Sequence, residues 1–381
     1  MGPFPLVIRG GLGSTALVHW EHILWPQDWT HRIEARGGFR SAAFTLYGGR
    51  DYLWKWFEQG LARPVVRYDD VGQIIWEGYV FALTLALPGL QYSRTLDNLS
   101  NRTYANYSVT DFSGDVPVSG ETQITAAAED SDSQNLYGIS ESVVNSSAAT
   151  KTNAEADRDD HHARYRRPLR NARDLPGGDL ALAVECRGWS EWYKHRTYTS
   201  DTLGVGNASS LVSTVNTDVG QFISATQLDT NSLQVGRYYS SVDREYAWDI
   251  LNEVTNYGDG TNRWEWGVWE GRTLKYQQVT ESVSYVRRYA DPYRRIETAS
   301  DRLAIPPWRL RAGKYIRQPD ALPLNLERSA AFELDPTMSY IQAVSWAESQ
   351  PYDYAIEFDE TENLKAVLAS STYWEGPSGK G

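Results

Sequence analysis

The sequence predicts a mostly β chain with some α, an α+β protein built on β-barrel or sandwich domains. Three observations carry this. Short alternating or apolar runs, punctuated by glycine and Asp/Gly turn signals, fill the first hundred residues. Trp and Tyr, 15 and 24 of 381 residues, favour sheet surfaces. Helical spacing is confined to three short stretches. At about 150 residues per domain the length suits two or three domains. The expected organisation is a β-barrel over 1–107, a Ser/Asp/Ala-rich connector with a polar helix over 108–179, an α+β middle domain over 180–290, and a β-rich C-terminal domain over 291–381 able to pack with earlier strands.

Taken in order, Leu6-Val7-Ile8 is a strand ending in Gly10-Gly11, and Phe39 to Leu46 alternates as a second. Asp51 to Leu61 predicts a helix with Leu53, Trp54, Phe57 and Leu61 on one face. Val65–Tyr68 and Ile74–Phe81 flank the turn signal Asp69-Asp70-Val71-Gly72 and form a hairpin, with Gly78 permitting a bulge or a close backbone approach. From about Val109 to Asp179 the composition turns to Ser, Thr, Ala, Asp and Glu. Thr152 and Glu155 fit a capping box for a polar helix that ends before Pro168, with Arg164, Arg166 and Arg167 near its C-terminus. This segment is expected to carry fewer core contacts than its flanks. Leu180–Cys186 is a strand. Asp243 is expected to cap a helix carrying Trp248, Leu251 and Val254, stopped by Gly258-Asp259-Gly260. Strands over Arg263–Trp269 and Leu274–Val279 follow, joined at Glu270-Gly271-Arg272. After Pro306-Pro307-Trp308 and Gly313 come short strands ending near Leu368. No repeat of 20–50 residues stands out, which disfavours solenoids and propellers.

Composition excludes several classes. A hydrophobic share of 41% with 23% charged residues describes a folded chain. The charge, 37 − 49 = −12, argues against broad binding to a phosphate backbone. The single cysteine, Cys186, forms no intrachain disulfide and no cysteine zinc cluster. No apolar run reaches the ~18 residues of a membrane span. Met1 to Pro5 lacks a basic stretch followed by an apolar one, so Sec export is not expected. The aromatic richness fits sheet faces and core, or extended contact surfaces for protein or sugar.

Few motifs have the spacing that chemistry needs. Gly11-Leu12-Gly13-Ser14-Thr15-Ala16 has the letters of a dinucleotide fingerprint, without a following βαβ unit. Asp130, Asp132, Gln134 and Glu141 stand at calcium-loop positions, but Asn135 replaces the turn glycine. His161 and His162, beside Asp157 and Asp159, point about 100° apart on a helix. His19, His22, His31 and His195 form no ligand spacing. No GxSxG elbow occurs, the Gly376–Gly381 tail lacks Walker spacing, and nothing singles out a catalytic carboxylate pair among 49. Glycosylation sequons begin at Asn98, Asn101, Asn106, Asn145 and Asn207, and read as Asn/Ser/Thr-rich loops. No catalytic, cofactor or metal residue is assigned.

The order of landmarks along the chain resembles baseplate-hub and tail-tip proteins of tailed bacteriophages, of the siphovirus minor tail protein type. The matching stretches are Val65–Tyr68 with Ile75-Trp76-Glu77-Gly78-Tyr79-Val80, then Leu99-Ser100-Asn101-Arg102-Thr103-Tyr104 and Tyr137-Gly138-Ile139-Ser140-Glu141. Cys186-Arg187-Gly188-Trp189, Ala247-Trp248-Asp249-Ile250-Leu251, Trp308–Gly313 and Tyr340–Trp346 complete the series. The resemblance implies two barrels and a structural role in the virion, with no shared catalytic residues. It implies a hub ring, a trimer, at the distal end of the tail tube. The partners would be its own copies and other tail proteins, with DNA passing through the ring and no specific nucleic-acid binding. The protein would be made in the host cytoplasm and reside at the tail tip. The competing expectations are a distal tail ring, usually hexameric, a carbohydrate-binding module with exposed Trp and Tyr platforms, and a β-rich glycoside hydrolase.

Overall fold

A computed structural model describes residues 6–9, 17–18, 26–111, 113, 118–175, 177–200, 204–237, 239–240, 242, 244–280, 282–287, 296–300, 305–318, 337–348 and 354–359. The chain is mostly β with interspersed helices, as its sequence predicts.

The first strands are β1 (Leu6–Arg9), β2 (Leu17–Val18), β3 (Pro26–Glu34) and β4 (Gly37–Leu46). Helix α1 (Arg50–Gln59) buries Leu53, Trp56 and Phe57. Trp56 thus takes the place expected of Trp54, which is half-buried and edge-on to Tyr92 at 5.3 Å. Leu61 is buried, but beyond the helix end at Gly60. Arg94 closes that end by donating to the Phe57 and Glu58 carbonyls at 3.1 and 2.7 Å, a cation where the helix dipole is negative. Strands β5 (Pro64–Tyr68) and β6 (Ile74–Leu87) form the expected antiparallel hairpin, with Val66 opposite Glu77. The Asp69 carboxylate shapes its turn by accepting from the Val71 and Gln73 amides. β6 runs on past Phe81 and pairs there with β7 (Gly89–Thr95).

The middle of the chain leaves this sheet. β8 (Arg102–Asp111) is flanked by β9 (Val118–Ile124), β10 (Ala128–Glu129) and, in parallel, β11 (Glu141–Asn145). Helix α2 (Ser131–Tyr137) is capped by Asp130, which accepts from the Ser133 amide. Helix α3 (Lys151–Tyr165) covers the small sheet. Its cap is Thr150, accepting from Asn153, rather than Thr152, which lies in the first turn. The described core of this unit is small, Ala105, Tyr107 and Ala154 with Val144 and Ala148 against them.

β12 (Arg170–Leu175) returns to the main sheet beside β7. β13 (Ala181–Gly188) then inserts between β4 and β6, antiparallel to both. A 3₁₀ turn over Trp189–His195 follows, buried from Trp189 to Tyr193. Next come β14 (Thr197–Tyr198), β15 (Gly204–Asn207), α4 (Ala208–Val219), β16 (Ala225–Leu228), β17 (Gln234–Arg237) and β18 (Glu245–Tyr246). Helix α5 (Ala247–Tyr257) buries Ala247, Ile250, Leu251 and Val254. It starts at Tyr246 without a side-chain cap, and Asp243 lies outside the described residues. Gly258, at φ 54°, ends it. β19 (Trp264–Trp269) and β20 (Thr273–Gln278) pair around the expected turn, and β19 also touches β4 in parallel.

The last strands are β21 (Val283–Arg287), β22 (Ile296–Thr298), β23 (Tyr315–Gln318), β24 (Thr337–Ala347) and β25 (Tyr354–Phe358). β24 pairs with β3, so early and late strands share one sheet, ordered β12, β7, β6, β13, β4, β3, β24, β25. A single apolar core runs beneath it from Leu6 to Trp346. Leu368 lies outside the described residues.

Two glycines fix the seat of β13. Gly188 faces Gly78 in register. A Cβ on Gly188 would overlap the Phe39 carbonyl, and one on Gly78 the Arg187 carbonyl. Both obstacles are backbone and cannot rotate away. Gly188→Ala is therefore expected to cost ~3 kcal/mol or more of unfolding free energy in urea titrations, as overpacking does. Gly49→Ala, where the Cβ meets nothing, should stay within about 1 kcal/mol of the parent.

Candidate functional site: the uncovered sheet face and its charged rim

Because side chains alternate across a strand, the face of the main sheet opposite the core is set by the sequence. Along β13 this puts Ala183, Glu185 and Arg187 outward while Leu182, Val184 and Cys186 are buried. Along β4 it puts Ser41, Ala43 and Thr45 on the same face. The register sets Glu185 beside Ala43, Ala43 beside Thr30 and Thr30 beside Ala347. Ala43, Thr30 and Ala347 form the floor of an open groove of about 730 Å³ running from β13 to β25. Among the described residues no helix covers it.

One rim of the groove is ionic. Arg32 grips Glu357 with both terminal nitrogens, at 2.5 and 2.7 Å, and reaches Glu34 through Nε at 2.8 Å. Arg40 holds Glu34 at 3.2 Å and pairs with Glu191. Beyond lies a pocket of about 290 Å³ that also takes in Arg36, Arg263, Glu265, Tyr340 and Asp359. Glu265 is the buried acid there, 3.5 Å from Arg36 and 3.3 Å from Arg263. Burial raises its pKa, against the pull of Arg36, Tyr340 and Arg263. Arg263 also binds Asp359 and lies 3.7 Å over the Tyr340 ring. The other acids of the pocket, Glu34, Glu357 and Asp359, are each held by an arginine. The arrangement suits fixing strands β3, β19, β24 and β25 together.

The residues singled out by sequence are dispersed. The Gly11–Ala16 run, His19, His22 and the Gly376–Gly381 tail lie outside the described residues. The strands flanking that run, β1 and β2, pair antiparallel, which is not the parallel βαβ setting of a dinucleotide site. Asp130 caps α2, while Glu141 accepts from the Thr197 amide and hydroxyl and pairs with Arg102, so the calcium-loop acids serve separate structural ends. His162 is buried with Nδ1 3.3 Å from the Thr103 hydroxyl, and the His161 ring lies tilted 4.7 Å from that of Tyr165. Among the described residues no cluster of His, Cys, Asp or Glu has the geometry of a metal site. Asn101 is fully buried, donating to the Gly138 carbonyl and accepting from the Ser140 amide, so it offers no glycan acceptor. Asn207 caps α4. Cys186 is a buried thiol whose pKa is driven up by burial. No helix among the described residues is long and apolar enough to cross a membrane.

The aromatic residues settle mostly on the core side. Every described tryptophan is buried in the main core or packed against it. The sugar-platform expectation therefore finds no exposed tryptophan among the described residues, where the exposed rings are Tyr47, Tyr246 and Tyr257. Sequence alone did not reveal the groove, because its signal is register between strands far apart in the chain.

No known protein family and no curated protein matches this sequence. Among solved structures, the tail protein from Neisseria meningitidis MC58 is similar at 8% identity and a TM-score of 0.46, over 93% of this chain and 95% of that one. The 43 kDa tail protein of prophage MuSo2 from Shewanella oneidensis is similar at 10% identity and a TM-score of 0.42, over 94% and 98%.

Beneath the groove, His31 accepts from Trp29 Nε1 at 3.1 Å through Nδ1. Burial, then Arg311 and Arg67, push its pKa down to about 3. The unfolded chain takes up a proton near pH 6.5 that the folded chain refuses, so stability falls as pH drops from about 6.5 toward 3. His31→Asn keeps an acceptor for Trp29 and removes the titration. Between pH 6.5 and 5 the parent should lose up to ~2 kcal/mol more than the variant in urea titrations.

Proposed function

We propose that this chain is a structural protein of a bacteriophage tail tip, forming a hub ring of three copies at the distal end of the tail tube. The observation that carries the reading is that the ordered landmarks of the resemblance hold one another in place. Tyr79 of the first landmark lies 5.4 Å from the Trp189 ring of the fourth. Gly78 of the first abuts Arg187 and Gly188 of the fourth. Asn101 of the second binds Gly138 and Ser140 of the third. Trp308, of the sixth, packs on Trp346 of the last at 5.6 Å. Short patterns that are individually weak thus coincide with the contacts on which the fold depends. The reading does not lean on the solved structures, whose TM-scores fall below 0.5.

In this role the chain works by being contacted, and its partners are its own copies and other tail proteins. The segment 108–179, whose part up to α3 has its own small core before β12 rejoins the main sheet, is proposed as an excursion between the N-terminal and middle domains. The formal charge of −12 suits a ring through which DNA passes without adhering, by like-charge repulsion. The virion tail is its proposed location.

Mass photometry of the purified full-length protein, with cryo-electron microscopy of the virion that carries it, tests the proposal. The expected results are a monomer or trimer in solution and three copies at the tail tip. Six copies in a ring would assign it instead to the distal tail ring. Reducing sugar released from a glycan, and lost on changing one Asp or Glu, would overturn the structural role.

A further inference from the structure

We propose that the β13 end of the groove, at Arg187, binds an oxyanion group, a phosphate or a carboxylate. This goes beyond the tail-tip reading and does not depend on it.

The register places two arginines on one row of the uncovered face, because Arg187 pairs with Ser41 and Ser41 with Arg32. Both line the groove. Arg32 is committed to Glu34 and Glu357. Arg187 has no hydrogen bond or ion pair among the described residues, and its guanidinium is steadied 5.1 Å over the Phe81 ring. It is half-buried, so its charge is only partly screened by water.

Arg187 also stands in a field of like charge. Arg40 and Lys194 lie 4.7 and 4.5 Å from the centre of the Trp248 ring and share the Glu191 carboxylate, which is 3.3 Å from Lys194. Burial, then repulsion from Arg40 and Arg187, lowers the Lys194 pKa to about 8, against the pull of Glu34 and Asp249. Arg40 is lowered likewise by burial and by Arg187 and Arg32, against Glu34. The cations at this end are thus crowded, and Arg187, which among the described residues has no hydrogen bond or ion pair, opens on the groove. An anion there would relieve the repulsion and take the paired donors that a guanidinium presents to two oxygens.

The neighbours fix where it sits. Ser41, between the two arginines, is small enough for close approach and carries a hydroxyl. Glu185, two residues back on the same strand face, repels an anion from the Ala43 side. The site is therefore at Ser41 and Arg187.

Calorimetric titration of the full-length protein with inorganic phosphate, at ionic strength held constant with chloride, tests this. Saturable binding is expected. Arg187→Ala should weaken it about tenfold, the worth of one charge-assisted hydrogen bond. Glu185→Gln, on the exposed face, should strengthen it about threefold by removing a repelling charge. A parallel titration with acetate separates the sources: acetate binding at the same site indicates a carboxylate-bearing ligand, and phosphate alone a phosphoryl group. The absence of saturable binding of either anion would overturn the proposal. So would an unchanged affinity in Arg187→Ala. Should that variant fail to fold, an unchanged affinity in Glu185→Gln overturns it.

Discussion

The backbone-to-backbone fit of β13 between β4 and β6 is the constraint on which the rest of the structure depends. Gly188 meets Gly78 on one side and the Phe39 carbonyl on the other, with no room for a methyl group at either glycine. That closeness sends the chain straight into the buried 3₁₀ turn, where Trp189 lies against Tyr79 and Trp192 against Phe222. Trp192 and Phe222 in turn crowd Gly138, the hinge between α2 and β11. One tight strand insertion thus joins the sheet, the aromatic core and the entrance to the middle unit.

Buried charges then decide which distant segments meet. Glu77 reaches the β19–β20 turn, Glu141 reaches Thr197 and Arg102, and Asp69 reaches Arg309 at 2.7 Å. Buried pairs of this kind add little net stability, since desolvation offsets attraction, but a wrong pairing would strand a charge in the core. Arg67 shows the same logic, almost wholly buried, 5.2 Å over the Trp29 ring and 2.7 Å from Glu348. Register specificity is the service these residues provide. It also leaves one sheet face free of core duties and lined with small side chains, where the groove lies.

Local chemistry made part of this legible in the sequence. The β5–β6 hairpin followed from two apolar runs and an Asp/Gly turn, and the β19–β20 pair from Glu270-Gly271-Arg272. The polar helix α3 was legible too, although its cap fell at Thr150 because two threonines compete there. What stayed hidden depends on long-range pairing. Helix α4 carries a weak sequence signal because its Val212, Val215 and Val219 stripe is embedded in Ser and Thr, with Asn207 as its cap the one local sign. The start of α5 is set by the Thr197–Tyr246 pairing rather than by a capping side chain. The strand at Leu180–Cys186 was legible, but nothing local names β4 and β6 as its neighbours. The groove, and Arg187 in it, inherits that blindness.

Native-state hydrogen exchange resolved by residue, at increasing urea below the unfolding midpoint, tests the central place of β13 most directly. If the insertion of β13 holds the fold together, the amides of β13, β4 and β6 should open only with global unfolding and share one free energy, while those of β8 to β11 open earlier. Protection of β13 lost at lower urea than that of β4 and β6 would contradict the account.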